Sequence, residues 1–334
     1  MFTFRYFFRP LLFGATLSLL CAAINAQQHN HHSNNQPQSS TGQPFGILLL
    51  AHGGKQNWNE GVHKIAATVN QTIPTEVAFG MASRRALQEG VDRLLARQVK
   101  QIVAVPLFVS SHSSVITATQ YLLRQRPDAP EALKIYAKMD HSHGSHGAGH
   151  DAGAHSQAAS ADPTTPVNSP VPIRMVGALD SHPLVADILL ARAASISQSP
   201  AREVVILVAH GPNQDEENRK WLADMKTLAD LMKPRGSYKR IEYLTVRDDA
   251  PEPIRSQAQT ELRAMVKRAT DEGAHVLIVP LLISFGGIEE GIKKRLEGLE
   301  YAICRQGLLP DERLAEWALL AARQSQRASE KAQR

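Results

Sequence analysis

The chain repeats itself. Residues 46–54 form an aliphatic run that ends in Ala51, His52, Gly53 and Gly54, and residues 205–212 form another that ends in Ala209, His210 and Gly211. A second pair of apolar runs follows, residues 101–110 and 276–284, each interrupted by a proline, Pro106 or Pro280. A period far beyond the ~20–50 residues of solenoid repeats makes the repeated unit a domain. With 334 residues, 43% of them hydrophobic and 21% charged, the chain can bury two ordinary cores.

Residues 1–26 stand apart from both. Arg5 and Arg9 precede the apolar run from Pro10 to Ala23, and Ala26 is a small residue at the expected cleavage point. This is the pattern of a signal peptide, shorter than the ~20 apolar residues of a membrane span. The mature protein is therefore expected to be exported, periplasmic or secreted, with no membrane span after cleavage. Cys21 leaves with the signal, so Cys304 remains alone, without an intrachain disulfide, and is expected to be a buried helix residue. No acidic residue lies in 1–26, so loss of the two arginines lowers the formal charge from +5 to +3. That mild excess gives no reason to expect nucleic acid. Residues 27–43, rich in Gln, Asn and Ser with His29, His31 and His32, read as a disordered leader.

The first domain, 44–200, reads as strand 46–51, helix 57–70, strand 75–80, helix 84–97, strand 101–109, helix 113–125, a strand near 171–176 and a closing helix 183–197. The second, 201–322, reads as strand 203–209, helix 214–232, strand 239–246, helix 251–270, strand 275–283, helix 288–299 and a final helix 311–326. Residues 323–334 form a basic tail expected to fray. Strands alternating with helices give an α/β fold: two similar flavodoxin-like domains, each a parallel sheet of about four strands with helices on both faces. Ligands in such sheets bind beyond the carboxyl ends of the strands. The stretch from Asp140 through Pro172, which begins with His141, His143, His146, His150 and His155, reads as a mobile surface loop.

His52 is the first candidate for chemistry, because Gly53 and Gly54 let the backbone turn and leave the imidazole facing the crevice. His112 lies six residues past Pro106, so if the first and third strands are neighbours the two histidines meet at one sheet edge. Two neutral imidazoles suit a borderline divalent ion such as Co, Ni, Fe or Zn while leaving positions open for exchange. His210 is the weaker equivalent in the second half, where Gly286 replaces His112. His63, His182 and His275 read as structural, and Trp58, Trp221 and Trp317 as packing residues on helices.

These paired segments, with Glu76 to Phe79, Gly177 to Leu184 and Gly307 to Asp311, resemble the class II tetrapyrrole chelatases, the CbiX-type sirohydrochlorin cobalt or iron chelatases, over roughly residues 45–320. The resemblance implies a lyase of cobalamin or sirohaem biosynthesis. It would insert a divalent ion, cobalt foremost and otherwise iron or nickel, into a sirohydrochlorin-type tetrapyrrole in a cleft between two domains. His52 and His112 would be its metal ligands and proton acceptors, and no nucleotide would be needed. Lys55, Arg84, Arg85 and Arg247 are candidates to hold the macrocycle's carboxylates. The chain departs from the family where an acidic residue is usual at the end of the second strand: Met81 stands there in the first half and Arg247, beside Asp248, in the second. A second departure is the run Ser113 to Thr117, which replaces an Asp-Ile-Pro turn.

Two readings stand. One is the chelatase. The other is a non-catalytic periplasmic metal-binding protein on the same scaffold, with His141, His143, His146, His150 and His155 as its ligand store. The retained histidine pair favours the first and the missing second-strand carboxylate the second. Whether the halves also pair between chains is open at this level.

Overall fold

The computed structural model describes residues 44–142, 161–285 and 287–332. The signal, the leader, Gly286 and His143, His146, His150 and His155 lie outside the described residues; His141 is described only in its backbone.

Among the described residues, eight strands form two sheets of one design. In the first half β1 (Phe45–Ala51), β2 (Thr75–Phe79), β3 (Gln101–Pro106) and β4 (Ile173–Met175) lie in the order β2-β1-β3-β4, all parallel. In the second, β5 (Glu203–Ala209), β6 (Arg240–Thr245), β7 (His275–Leu281) and β8 (Ala302–Ile303) repeat it as β6-β5-β7-β8. The helices between them are α1 (Gln56–Asn70), α2 (Arg84–Ala96), α3 (Ser114–Leu122), α4 (Leu133–Ser142), α5 (Pro183–Ala194), α6 (Asp215–Gly236), α7 (Ile254–Asp271), α8 (Ile288–Arg295) and α9 (Arg313–Ala332).

Strand alternation sorts the side chains into three cores. Leu48, Leu50, Ile102 and Ala104 point to the outer face of the first sheet, under Leu87, Val91 and Leu94 of α2. Val204, Ile206, Val208 and Ile278 do the same in the second sheet, under Leu262 and Val266 of α7. The inner faces, Ile47, Leu49 and Ala51 on one side and Val205, Leu207 and Ala209 on the other, belong to one continuous core. That core is filled by helices that cross over: α5, from the first half, packs on α6 and β7, while α9, from the second, packs on α1 and β3. Arg192 of α5 fastens the exchange by donating to the carbonyls of Gly307, Leu308 and Pro310 at 2.8, 3.2 and 2.9 Å.

Four expectations need correction. α9 does not fray at Arg323 but continues to Ala332, because Gln326 and Ser329 are buried on its inner face. Residues 161–172 are not a free loop: Val167 is buried in the outer core and bonds the Leu122 carbonyl, and Gln88 holds both backbone groups of Asn168. α4 occupies part of the expected loop, with Leu133 and Ala137 one helical turn apart and both buried. Cys304 is buried but follows directly on β8, outside any helix, its N–H bonded to the Ile278 carbonyl.

Candidate metal site at the sheet edge

β1 and β3 are neighbours, with Leu50 opposite Pro106 in register, so the loops that carry His52 and His112 leave the same carboxyl edge side by side. Leu107 continues the pairing by bonding the Leu50 carbonyl at 2.8 Å. After Ala51 the chain turns through Gly53 at φ +82°, and the Gly54 N–H is caught by Asn59 of α1 at 2.9 Å. Gly211, at φ +75°, makes the corresponding turn after His210.

The His52 side chain is exposed and its Nδ1 lies 2.7 Å from the Gly53 carbonyl oxygen. A carbonyl only accepts, so Nδ1 carries the proton and the neutral ring keeps its lone pair on Nε2, free for a ligand. Trp58 stands edge-on to the ring, centroids 6.4 Å apart.

His112 is half-buried and held from both halves. Its N–H donates to Ser110 Oγ at 3.1 Å, and its carbonyl accepts from Trp221 Nε1 of α6 at 2.7 Å. The neighbouring Ser111 is fixed through its N–H and hydroxyl to the two oxygens of Asp180, at 2.6 and 2.7 Å. His112 Nε2 faces Asp224 Oδ2, also of α6, at 3.9 Å. Burial, then the nearby Asp180 charge, pushes the Asp224 carboxyl above its ordinary value, against the pull of His112 and a bond from Ser181. Glu217, on the same helix, is likewise raised, chiefly by burial, with Lys220 and His112 pulling it down. Sequence reading missed both carboxylates, because nothing local to α6 marks which loop it will cover; their spacing around Trp221 is the one available signal.

The second-strand end supplies no carboxylate in the first half, whereas the second half has Asp248 and Asp249 just past β6. Met81 packs against the outer apolar core. Arg247, at φ +50°, is spent on the Pro212 and Asn213 carbonyls and an ion pair with Asp215, and Asp248 pairs with Arg295. Arg247 therefore cannot hold a macrocycle as expected. Arg84 is tied to Thr165 and Arg85 to Glu89, which leaves Lys55 as the one cation of that set with no ion pair or side-chain hydrogen bond among the described residues. His210 is engaged too, its Nε2 3.2 Å from Asp249. His182 caps α5 by accepting from the Leu184 N–H, and His63 stacks edge-on to Phe79.

No hydrogen bond or ring contact joins His52 to His112, and among the described residues no three His, Cys, Asp or Glu side chains are grouped to hold a metal ion. Among the same residues, no helix is long and apolar enough to cross a membrane.

The family model CbiX matches residues 46–196, the segment that contains β1 through α5 and both candidate histidines. The match spans a little under half of the chain and makes this segment similar to the CbiX family. SirB from Bacillus subtilis with Fe3+ superposes with a TM-score of 0.56 at 16% identity, covering 86% of this chain and 98% of that one. The sirohydrochlorin chelatase SirB from Bacillus subtilis subspecies spizizenii, in complex with cobalt, gives 0.52 at 13% identity, covering 86% and 97%. These likenesses show a shared fold, with the strand order of the first sheet repeated in the second. No curated protein matches the chain.

Proposed function

We propose that the protein inserts a divalent metal ion, cobalt in the first instance and otherwise iron or nickel, into a sirohydrochlorin-type tetrapyrrole. The observation that carries this reading is the pair of imidazoles delivered by adjacent strands to one carboxyl edge of a CbiX-like sheet. His52 offers Nε2 to the ion, and His112 supplies the second nitrogen. Two ligands short of a closed shell make a site that releases what it binds. As the ion passes to the ring nitrogens, two pyrrole N–H protons must leave, and the freed imidazoles accept them. Formation of the metal–nitrogen bonds drives the step, so no nucleotide takes part. With residues 1–26 acting as an export signal, insertion takes place in the periplasm or outside the cell.

The test is direct. Purified protein, Co2+ and metal-free sirohydrochlorin are mixed and the absorption change is followed against the uncatalysed reaction. A rate no faster than the blank removes the enzyme.

A second reading is favoured by one observation, the apolar Met81 packed at the second-strand end of the first half in place of a carboxylate. In that reading the scaffold only binds metal, and His141, His143, His146, His150 and His155 collect it. Deleting residues 140–160 separates the two: the collector loses Co2+ binding, whereas the chelatase keeps its insertion rate at saturating Co2+.

A further inference from the structure

The carboxylate missing from the second-strand end has a counterpart across the molecule. On α6, Glu217, Trp221 and Asp224 fall at i, i+4 and i+7, one face of the helix, and that face covers the His112 loop. Trp221 fixes the loop's backbone through the His112 carbonyl, and Asp224 sits beside the ring with Oδ2 at 3.9 Å from Nε2. That oxygen is buried and accepts no hydrogen bond. A buried acceptor left unpaired costs free energy, and the imidazole of His112 is placed to supply an N–H to it. A closure of about 1 Å brings the pair to hydrogen-bond distance, within the reach of a half-exposed ring.

We propose that Asp224 is a positioning residue for His112: it accepts a hydrogen bond from the ring's Nε2–H, fixes the tautomer, and so presents Nδ1 to the metal ion. The first half's site is thus completed by the first helix of the second half. Metal-ligating histidines are commonly oriented this way, by a carboxylate on the ring nitrogen away from the ion. His52 reaches the same end with a different acceptor, the Gly53 carbonyl, and exposes the opposite nitrogen. The inference rests on His112 being a ligand in the proposed reaction.

Two readouts on the full chain test it. In protein labelled with 15N-histidine, with the His112 signal assigned by its loss in His112→Ala, His112 is expected to be the Nε2–H tautomer without any metal present, and Asp224→Asn is expected to shift it towards a mixture. Titration with Co2+ alone, followed by its visible absorption, is expected to show a ten- to hundred-fold weaker affinity in Asp224→Asn, roughly the cost of losing such a partner, with recovery in Asp224→Glu. A His112 that is Nδ1–H in the wild type, or a tautomer and affinity unmoved by Asp224→Asn, overturns the role of Asp224. If that happens while His112→Ala still abolishes Co2+ binding, the chelatase reading survives. If His112→Ala binds Co2+ like the wild type, the reading beneath the inference fails as well.

Discussion

A histidine reaches a sheet edge through the residue that follows it. Gly53 and Gly211 both turn at positive φ, where an L side chain is strained. The surroundings differ, however: a Cβ at Gly211 would come within 2.4 Å of Thr245 Cβ, whereas one at Gly53 would sit 3.4 Å from Phe79. Gly211→Ala is expected to cost about 3 kcal/mol, backbone strain plus overpacking, and Gly53→Ala about 1–2 kcal/mol from strain alone. Equal losses in urea denaturation would contradict this. The Ala-His-Gly turn is legible in the sequence because a left-handed glycine is a local property. Asp224 is not, since its significance comes from a helix of one half lying on a loop of the other, and the spacing of Glu217, Trp221 and Asp224 marks a face without saying what it covers. The same limit hides the fate of Arg247, whose charge points to a ligand until its backbone partners are seen.

Among the elements, the βα alternation is legible because buried parallel strands read as unbroken aliphatic runs, and Pro106 is the last residue of β3 and Pro280 the last but one of β7. Short elements escape: β8 is two residues long and α4 has a single buried i, i+4 pair. The exchange of α5 and α9 escapes for another reason, since an apolar helix face does not say which sheet it will cover. Arg192 makes the exchange testable. Its side chain is 11% exposed and serves three carbonyls ahead of α9. Arg192→Ala is expected to destabilise the protein by about 3 kcal/mol by leaving them without that donor; a change within 0.5 kcal/mol of wild type, about the size of an ordinary surface substitution, would refute the latch. Beside it, burial works against ionising Asp311, but two hydrogen bonds from the Arg313 side chain, one from its N–H and the charge of Arg192 outweigh it, so the carboxyl lies below its ordinary value. A depressed carboxylate stabilises the fold above its unfolded pKa, about 3.9, and that contribution disappears as pH falls through the folded value. Asp311→Asn is therefore expected to flatten the stability profile below about pH 4, measured by denaturation across pH.

For the whole molecule, the inner core joins both sheets, so the halves are similar in design but not independent. A fragment of residues 44–200 lacks α9 over β3 and leaves the inner face of α5 bare. It is expected to bind a hydrophobic dye and unfold without a cooperative transition, and to recover when co-expressed with residues 201–334. A monomeric, cooperative fragment would show that each half buries a core of its own. The duplication is plain in the sequence, yet it hides how far the copies have diverged: the first edge keeps His52 with a free nitrogen and His112, while the second has His210 bound to Asp249. The account's central claim is that His52 and His112 act on one ion in one step. It is tested most directly by the Co2+ insertion rates of His52→Ala, His112→Ala and the double variant. Each single change is expected to lower the rate by about 100-fold or more, and the double by little further, because groups that act as a unit are not additive. A double variant that inserts cobalt at the wild-type rate would contradict it.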